Sequence, residues 1–319
     1  MLRFSLVLTL ASAVSLAGEP EKAAGGRYAL IVAVKQYDVT ELKPLKYTEN
    51  DAAALAETLK AAGYKRIVVM SQTRGAVEAR YLPTAANVRR ELKGLLDDRG
   101  EDDGVVVAFA GHGVQFAGDD ETFFCPMDAK LGDRSSLVSL GDVYAELKEC
   151  EASFKLLLAD VCRRDPRPTF DRSPKEPVKL QSVSRPQTRK PPQGVAAYFS
   201  CSPGEQAYES PKLERGVFFH YVVEAMRGKA AKDGAVTLFG LTEYVSRRVA
   251  DRVRDEFGPD VRQRPELIGQ TSGAPVLTTG HIEPKNVESK KSEADDEPNR
   301  KPRRLMDRLR RILGKDKGN

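Results

Sequence analysis

Continuous apolar runs, each followed by residues at helical spacing, constrain this chain more than any other feature of its sequence. The first four are Tyr28-Ala-Leu-Ile-Val-Ala-Val34, Arg66-Ile-Val-Val-Met70, Val105-Val-Val-Ala-Phe109 and Lys155-Leu-Leu-Leu-Ala159. A strand without polar alternation is buried on both faces, as in a parallel sheet covered by helices. Between the first two runs, residues 50–63 place Ala54, Leu55, Leu59 and Ala62 on one helical face and stop at Gly63. Thr84 caps a second helix running through Leu96, with Val88, Leu92 and Leu95 on its apolar face. A further strand spans 194–200, and amphipathic helices follow at 217–226 and 238–254. This alternation predicts an α/β fold with a mainly parallel sheet.

The pattern bounds a globular body at residues 27–279. Ahead of it, residues 1–17 read as a secretory signal: Arg3 is the positive end, Leu6 to Leu16 the apolar stretch, and Ser15-x-Ala17 the small-residue cleavage site. A mature protein that is secreted, periplasmic or held in the cell envelope follows from that reading; a buried N-terminal helix or a membrane anchor is the alternative, and the run is short for an anchor. No apolar run reaches the roughly 18 residues of a membrane span. Residues 163–193 interrupt the body with seven prolines and nine basic side chains, too long for an ordinary connection and so either functional or disordered. A charged linker occupies 280–299, and residues 300–319 hold nine basic and two acidic side chains. Since the whole chain is only +5, the body is nearly neutral, which argues against nucleic-acid binding by the fold itself. Within the tail, Leu305, Leu309, Ile312 and Leu313 share one helical face amid arginines, fitting a short helix over 300–314 that lies on an anionic membrane or folds against a partner.

Chemistry in an open α/β sheet gathers at the carboxyl ends of its strands. The third run leads into Ala110-Gly-His-Gly113 and the fourth into Asp160-Val-Cys-Arg163. A Cys and a His at one sheet edge are the minimal nucleophile–base pair, and flanking glycines leave room for a substrate backbone beside His112. With three His in the chain, a multi-His metal site is nearly excluded. His220 falls on an apolar helix and reads as a packed or half-exposed residue, and His281 lies past the body. Cys125 and Cys150 read as small core residues, and Cys201 follows a strand where it could line a site without reacting. Cys162 alone sits at a sheet edge beside polar residues able to stabilise a thiolate.

These residues resemble the caspase/metacaspase superfamily of cysteine peptidases, in which a His lies about 50 residues before the nucleophilic Cys. The resemblance covers most of 27–279 and also rests on Asn50-Asp-Ala52, Pro126-Met-Asp128 and Ser200-Cys-Ser-Pro-Gly-Glu205. It implies a caspase-like three-layer sandwich: a mainly parallel central sheet flanked by helices. It implies Cys162 and His112 as the catalytic pair, with Gly113 and Cys162 N–H groups as the oxyanion hole. Asp160 stands where caspases carry Gln, as in metacaspases, while Arg164-Asp165 replace the usual small residues after Cys-Arg. No side chain is evident as a third member orienting His112. The segment Ser200 to Glu209 resembles the one that pairs with substrate, and Glu209 falls where caspases carry the Arg that reads a P1 aspartate. Asp51 and Asp160 match acidic positions of the metacaspase pocket. Asp51, Asp160, Ser200 and Glu209 are thus the implied substrate-binding residues, and their acidity favours Arg or Lys at P1. Asp51 also reads as a helix cap and Glu209 as a solvated loop carboxylate. The implied partners are peptides or proteins with Arg or Lys at P1. No cofactor is implied; metacaspases often need calcium, but Asp119-Asp120-Glu121 is only a short acidic cluster. A catalytically silent scaffold that binds peptides or partners is the rival function.

Overall fold

A computed structural model describes residues 25–116, 120–161, 189–271 and 273–280. The signal segment, Cys162, most of the 163–193 insertion and the tail therefore lie outside the described residues. In chain order the first half comprises β1 (Arg27–Ala33), α1 (Thr48–Ala61), β2 (Arg66–Met70), the single turn α2 (Gln72–Gly75), α3 (Ala85–Leu96) and β3 (Gly104–Ala110). Three short strands follow, β4 (Gly113–Gln115), β5 (Thr122–Phe124) and β6 (Val138–Ser139), then α4 (Leu140–Glu149) and β7 (Phe154–Asp160). The second half holds β8 (Val195–Phe199), the two-residue β9 (Glu209–Ser210) and β10 (Arg215–Gly216), α5 (Val217–Glu224), β11 (Ala235–Thr237), α6 (Leu238–Phe257), β12 (Glu266–Gly269) and β13 (Val276–Thr279).

The apolar runs become one six-stranded sheet in the order β12-β8-β7-β3-β1-β2. Every pairing in it is parallel except that of β12 with β8. Alternate side chains feed separate cores. Leu30, Val32, Val107, Phe109, Leu157 and Phe199 face the layer of α3 and α4, whereas Ile31, Val106, Ala108, Leu156, Leu158 and Tyr198 face α1, α5 and α6. Burial of both faces is what the unbroken apolar runs required.

Capping sets most helix starts. Ser71, Thr84, Ser139 and Thr237 accept N–H bonds at the heads of α2, α3, α4 and α6. The α3 end takes a second acceptor, Asp128 Oδ1, 2.9 Å from Ala85 N. Helix α1 begins two residues ahead of the expected Asn50, and neither it nor α5 has a side-chain cap of its own at the N-cap position. Its other end is as expected. Gly63 takes φ +82°, its N–H donates to Lys60 O and that of Tyr64 to Leu59 O, the pair of bonds that closes a helix through a left-handed glycine. The expected helix over 217–226 ends at Glu224 and continues as one π-helical turn to Lys229.

Candidate active site

From β1 the chain crosses to β2 on one side, and β3 returns on the other side of β1. The sheet order therefore reverses between β1 and β3, which opens a crevice at their carboxyl ends. Two segments flank it: residues 34–47, leading from β1 to α1, and Gly111 to Gly113, leading out of β3. The longer is fastened along its length. Val34 N–H donates to Ala110 O (2.9 Å), Asp38 N–H to Met127 O (2.9 Å) and Leu45 N–H to Lys35 O (2.8 Å). Gln72 accepts from Lys35 N–H and donates to Gln36 O, while Leu42 and Leu45 are buried.

His112 is 1% exposed. Its backbone N–H donates to Tyr37 Oη at 2.8 Å, and the Tyr37 ring packs against the imidazole with centroids 5.0 Å apart. Imidazole Nε2 lies 2.8 Å from the Lys43 carbonyl. A carbonyl can only accept, so Nε2 carries the hydrogen and Nδ1 is the basic nitrogen of the neutral ring. A backbone carbonyl therefore orients the ring, and Pro44 behind it confines Lys43 to extended backbone. Gly111 is required by packing: a Cβ there would stand 2.7 Å from the Phe124 ring and 3.2 Å from Tyr37 Oη. Cys125 N–H donates to His112 O, which makes Gly113 and Phe124 a non-hydrogen-bonded pair of the β4–β5 ladder. The Gly113 N–H therefore points away from β5.

Ala110 and Asp160 are register partners at the ends of β3 and β7, and Gly111 N–H reaches Asp160 O at 3.3 Å. His112 is two residues past the first and Cys162 two residues past the second; Cys162 itself is outside the described residues. The other three cysteines are buried. Cys201 Sγ is 3.5 Å from the carbonyls of Val161 and Glu205, a packing role. His220 is half-buried on α5, edge-on to Tyr221. Its burial depresses its pKa to about 4, against the pull of Glu224.

Asp51 and Asp160 are each 1% exposed and converge on Gly216. The point a Gly216 Cβ would occupy is 2.7 Å from Asp160 Oδ2 and 2.9 Å from Asp51 Oδ2. Gly216 N–H donates to Asp51 Oδ2 (2.9 Å), while Asp51 Oδ1 meets no hydrogen-bonding partner among the described residues. Burial, then the Asp160 charge, hold the Asp51 carboxyl well above the usual carboxylate range, against the Gly216 N–H and Arg215. Asp51 is therefore not a cap: it is a buried carboxylate beside another. Ser200 is buried, and Gln263 Nε2 donates to its carbonyl at 3.0 Å. Glu209, half-buried and the register partner of Gly216, directs its carboxylate to the head of α1. Lys46 N–H lies 3.0 and 3.1 Å from its two carboxylate oxygens, and Tyr47 N–H is 2.8 Å from Oε1.

Sequence reasoning missed Lys43, Tyr37 and Gln263. The first acts through its carbonyl, so its side chain carries no signal. Gln263 accepts from Tyr208 N–H, and Arg264 beside it pairs with Glu205 at 2.6 Å, fastening the 200–209 segment. Among the described residues no three His, Cys, Asp or Glu side chains are grouped to hold a metal ion, and no helix is long and apolar enough to cross a membrane.

A model of the caspase domain matches residues 26–275. Among solved structures, caspase-1 from Spodoptera frugiperda superposes with a TM-score of 0.56 at 16% identity, over 81% of this chain and 91% of that one. The structure titled pro-sf-caspase-1 gives a TM-score of 0.54 at 17% identity, over 82% and 97%. No curated protein matches the chain.

Proposed function

Because the chain belongs to the caspase-domain family of peptidases, we propose that it is a cysteine endopeptidase of the metacaspase-like type, cleaving after Arg or Lys with Cys162 and His112. The observation that carries the specificity is the convergence of Asp51 and Asp160 on the space beside Gly216. Two buried carboxylates, with Arg215 acting on Asp51, form a site that favours a P1 guanidinium or ammonium and repels a P1 carboxylate.

His112 Nδ1 takes the Cys162 thiol proton, and the thiolate attacks the scissile carbonyl. The oxygen of the tetrahedral intermediate gains negative charge, which the Gly113 and Cys162 N–H groups stabilise by several kcal/mol. Collapse expels the amine, which leaves with the proton held by His112. Water, deprotonated by His112, then hydrolyses the thioester and restores the thiol. The Lys43 carbonyl supports each transfer by holding Nε2–H and stabilising the imidazolium.

Cys162→Ala and His112→Ala should each abolish hydrolysis of Arg- and Lys-P1 peptides while leaving the chain folded, as circular dichroism reads. A P1 peptide library read by mass spectrometry tests the specificity; robust cleavage after Asp would overturn it. Labelling of Cys162 by an Arg-fluoromethylketone probe separates the enzyme from the silent scaffold. Residues 1–17 further lead us to place the mature protein outside the cytoplasm, which N-terminal sequencing of the purified protein tests by cleavage after Ala17.

A further inference from the structure

We infer that Glu209 is a positioning residue for His112, acting through the 34–47 segment, and not a reader of the P1 side chain. The inference rests on the peptidase reading above. Glu209 begins β9, in the segment that family resemblance assigns to substrate, yet both its carboxylate oxygens accept from the backbone of Lys46 and Tyr47. Those two N–H groups stand at the head of α1, whose N-cap residue Tyr47 offers no side-chain acceptor. A carboxylate there satisfies open donors and meets the positive end of a 14-residue helix. The Glu209 charge raises the Asp51 carboxyl less than that of Asp160 does.

The consequence lies three residues upstream. Lys43 presents its carbonyl to His112 Nε2, followed by Pro44 and the buried Leu45. Asp38 N–H, donating to Met127 O, holds the strand-side end, and Glu209 holds the helix-side end, with Leu45 N–H tied across to Lys35 O. Between these two anchors the Lys43 carbonyl has one direction, and that direction selects the Nε2–H tautomer. Lys46 is exposed, so without Glu209 water can solvate both N–H groups and release that end of the segment. The substrate-binding segment and the catalytic base are thereby joined through the backbone of residues 43–47, which Glu209 holds at one end and His112 meets at the other.

The test compares Glu209→Ala and Glu209→Gln in the full chain. In Glu209→Ala, kcat for an Arg-P1 peptide should fall about 10-fold or more, with KM within about twofold, since small misplacement of a catalytic group costs turnover more than binding. Glu209→Gln keeps an amide oxygen for Tyr47 N–H and should recover most of kcat. A KM increase with unchanged kcat, equal in both variants, would identify a P1 acid and overturn the proposal. Two further readings need no turnover. In a Cys162→Ala background, Glu209→Ala should speed amide exchange at 43–47 and convert the His112 imidazole NMR signal from the Nε2–H tautomer to a mixture. Unchanged exchange or an unchanged imidazole signal overturns the proposal. If the wild type is inert toward Arg and Lys peptides, the substrate reading fails, and these two readings still decide the role of Glu209.

Discussion

Asp51→Asn should move stability and activity in opposite directions. Asp51 is buried beside Asp160, and its Oδ1 has no partner among the described residues. A buried unsatisfied acceptor costs about 1–3 kcal/mol, and more when charged. Asn has nearly the same shape, keeps an oxygen for the Gly216 N–H and carries no charge, so the repulsion from Asp160 is removed. Against this, the half-exposed Arg215 loses an opposite charge, an effect of about 1 kcal/mol after solvent screening. The net gain is about 1 kcal/mol, which raises Tm by about 2–4 °C in a domain of this size. Hydrolysis goes the other way. Losing one charged hydrogen-bonding partner of the P1 cation removes about 1.5–3 kcal/mol, or about 10- to 100-fold in kcat/KM for Arg substrates. Thermal unfolding followed by circular dichroism and a fluorogenic Arg-P1 peptide measure the two effects. A variant that loses both stability and activity would make Asp51 a structural residue; one that keeps full activity would remove it from the pocket.

Four other outcomes are expected. The raised Asp51 carboxyl holds a proton in the folded protein at pH values where the unfolded chain has released it, so its contribution to stability falls as pH rises through that window. That proton competes with the P1 cation: KM for Arg peptides should rise as pH falls toward the raised value, and a flat pH profile of KM would refute the competition. Self-cleavage is expected within 163–188, absent in Cys162→Ala, but not at Arg189, whose guanidinium is 2.7 Å from Glu121 and whose N–H donates to Asp120 O; mass mapping that finds the cut at Arg189, or an intact active chain, sinks this. The 300–314 segment should bind anionic vesicles in co-sedimentation, less so at high salt and not after truncation at Pro298; equal sedimentation of both forms removes the membrane role.

The sheet was legible because buried parallel strands leave long apolar runs, and β1, β2, β3 and β7 lie within a residue of them. The end of α1 was legible because only glycine takes φ +82° at no cost, at Gly63. The short strands β4, β5 and β6 were not, since two or three residues carry no period. His112 could be picked out by elimination among three histidines. What holds it could not, because Lys43 acts through a carbonyl that every residue possesses. The acidity of Asp51, Asp160 and Glu209 was readable, but not their directions: the first two meet at Gly216, while the third is drawn away by bare donors at the head of α1. Electrostatic pull of that kind depends on where a helix begins, and α1 begins two residues earlier than its apolar spacing indicates.

The use of backbone atoms around His112 bears on how such a chain can diverge. Lys43 O, Gly113 N, Lys46 N, Tyr47 N and Gly216 N are all independent of the side chains at those positions. Replacements at 43 and 46, both exposed, can change the charge and shape of the rim without moving the imidazole. The rim is then open to variation by point substitution, while the positions that resist it are those whose bulk or lack of it sets the backbone path: Gly111, Pro44, Leu45 and Gly216. Libraries built at 43 and 46 should therefore retain turnover while shifting preference beyond P1, and those built at 111 and 216 should be mostly inactive.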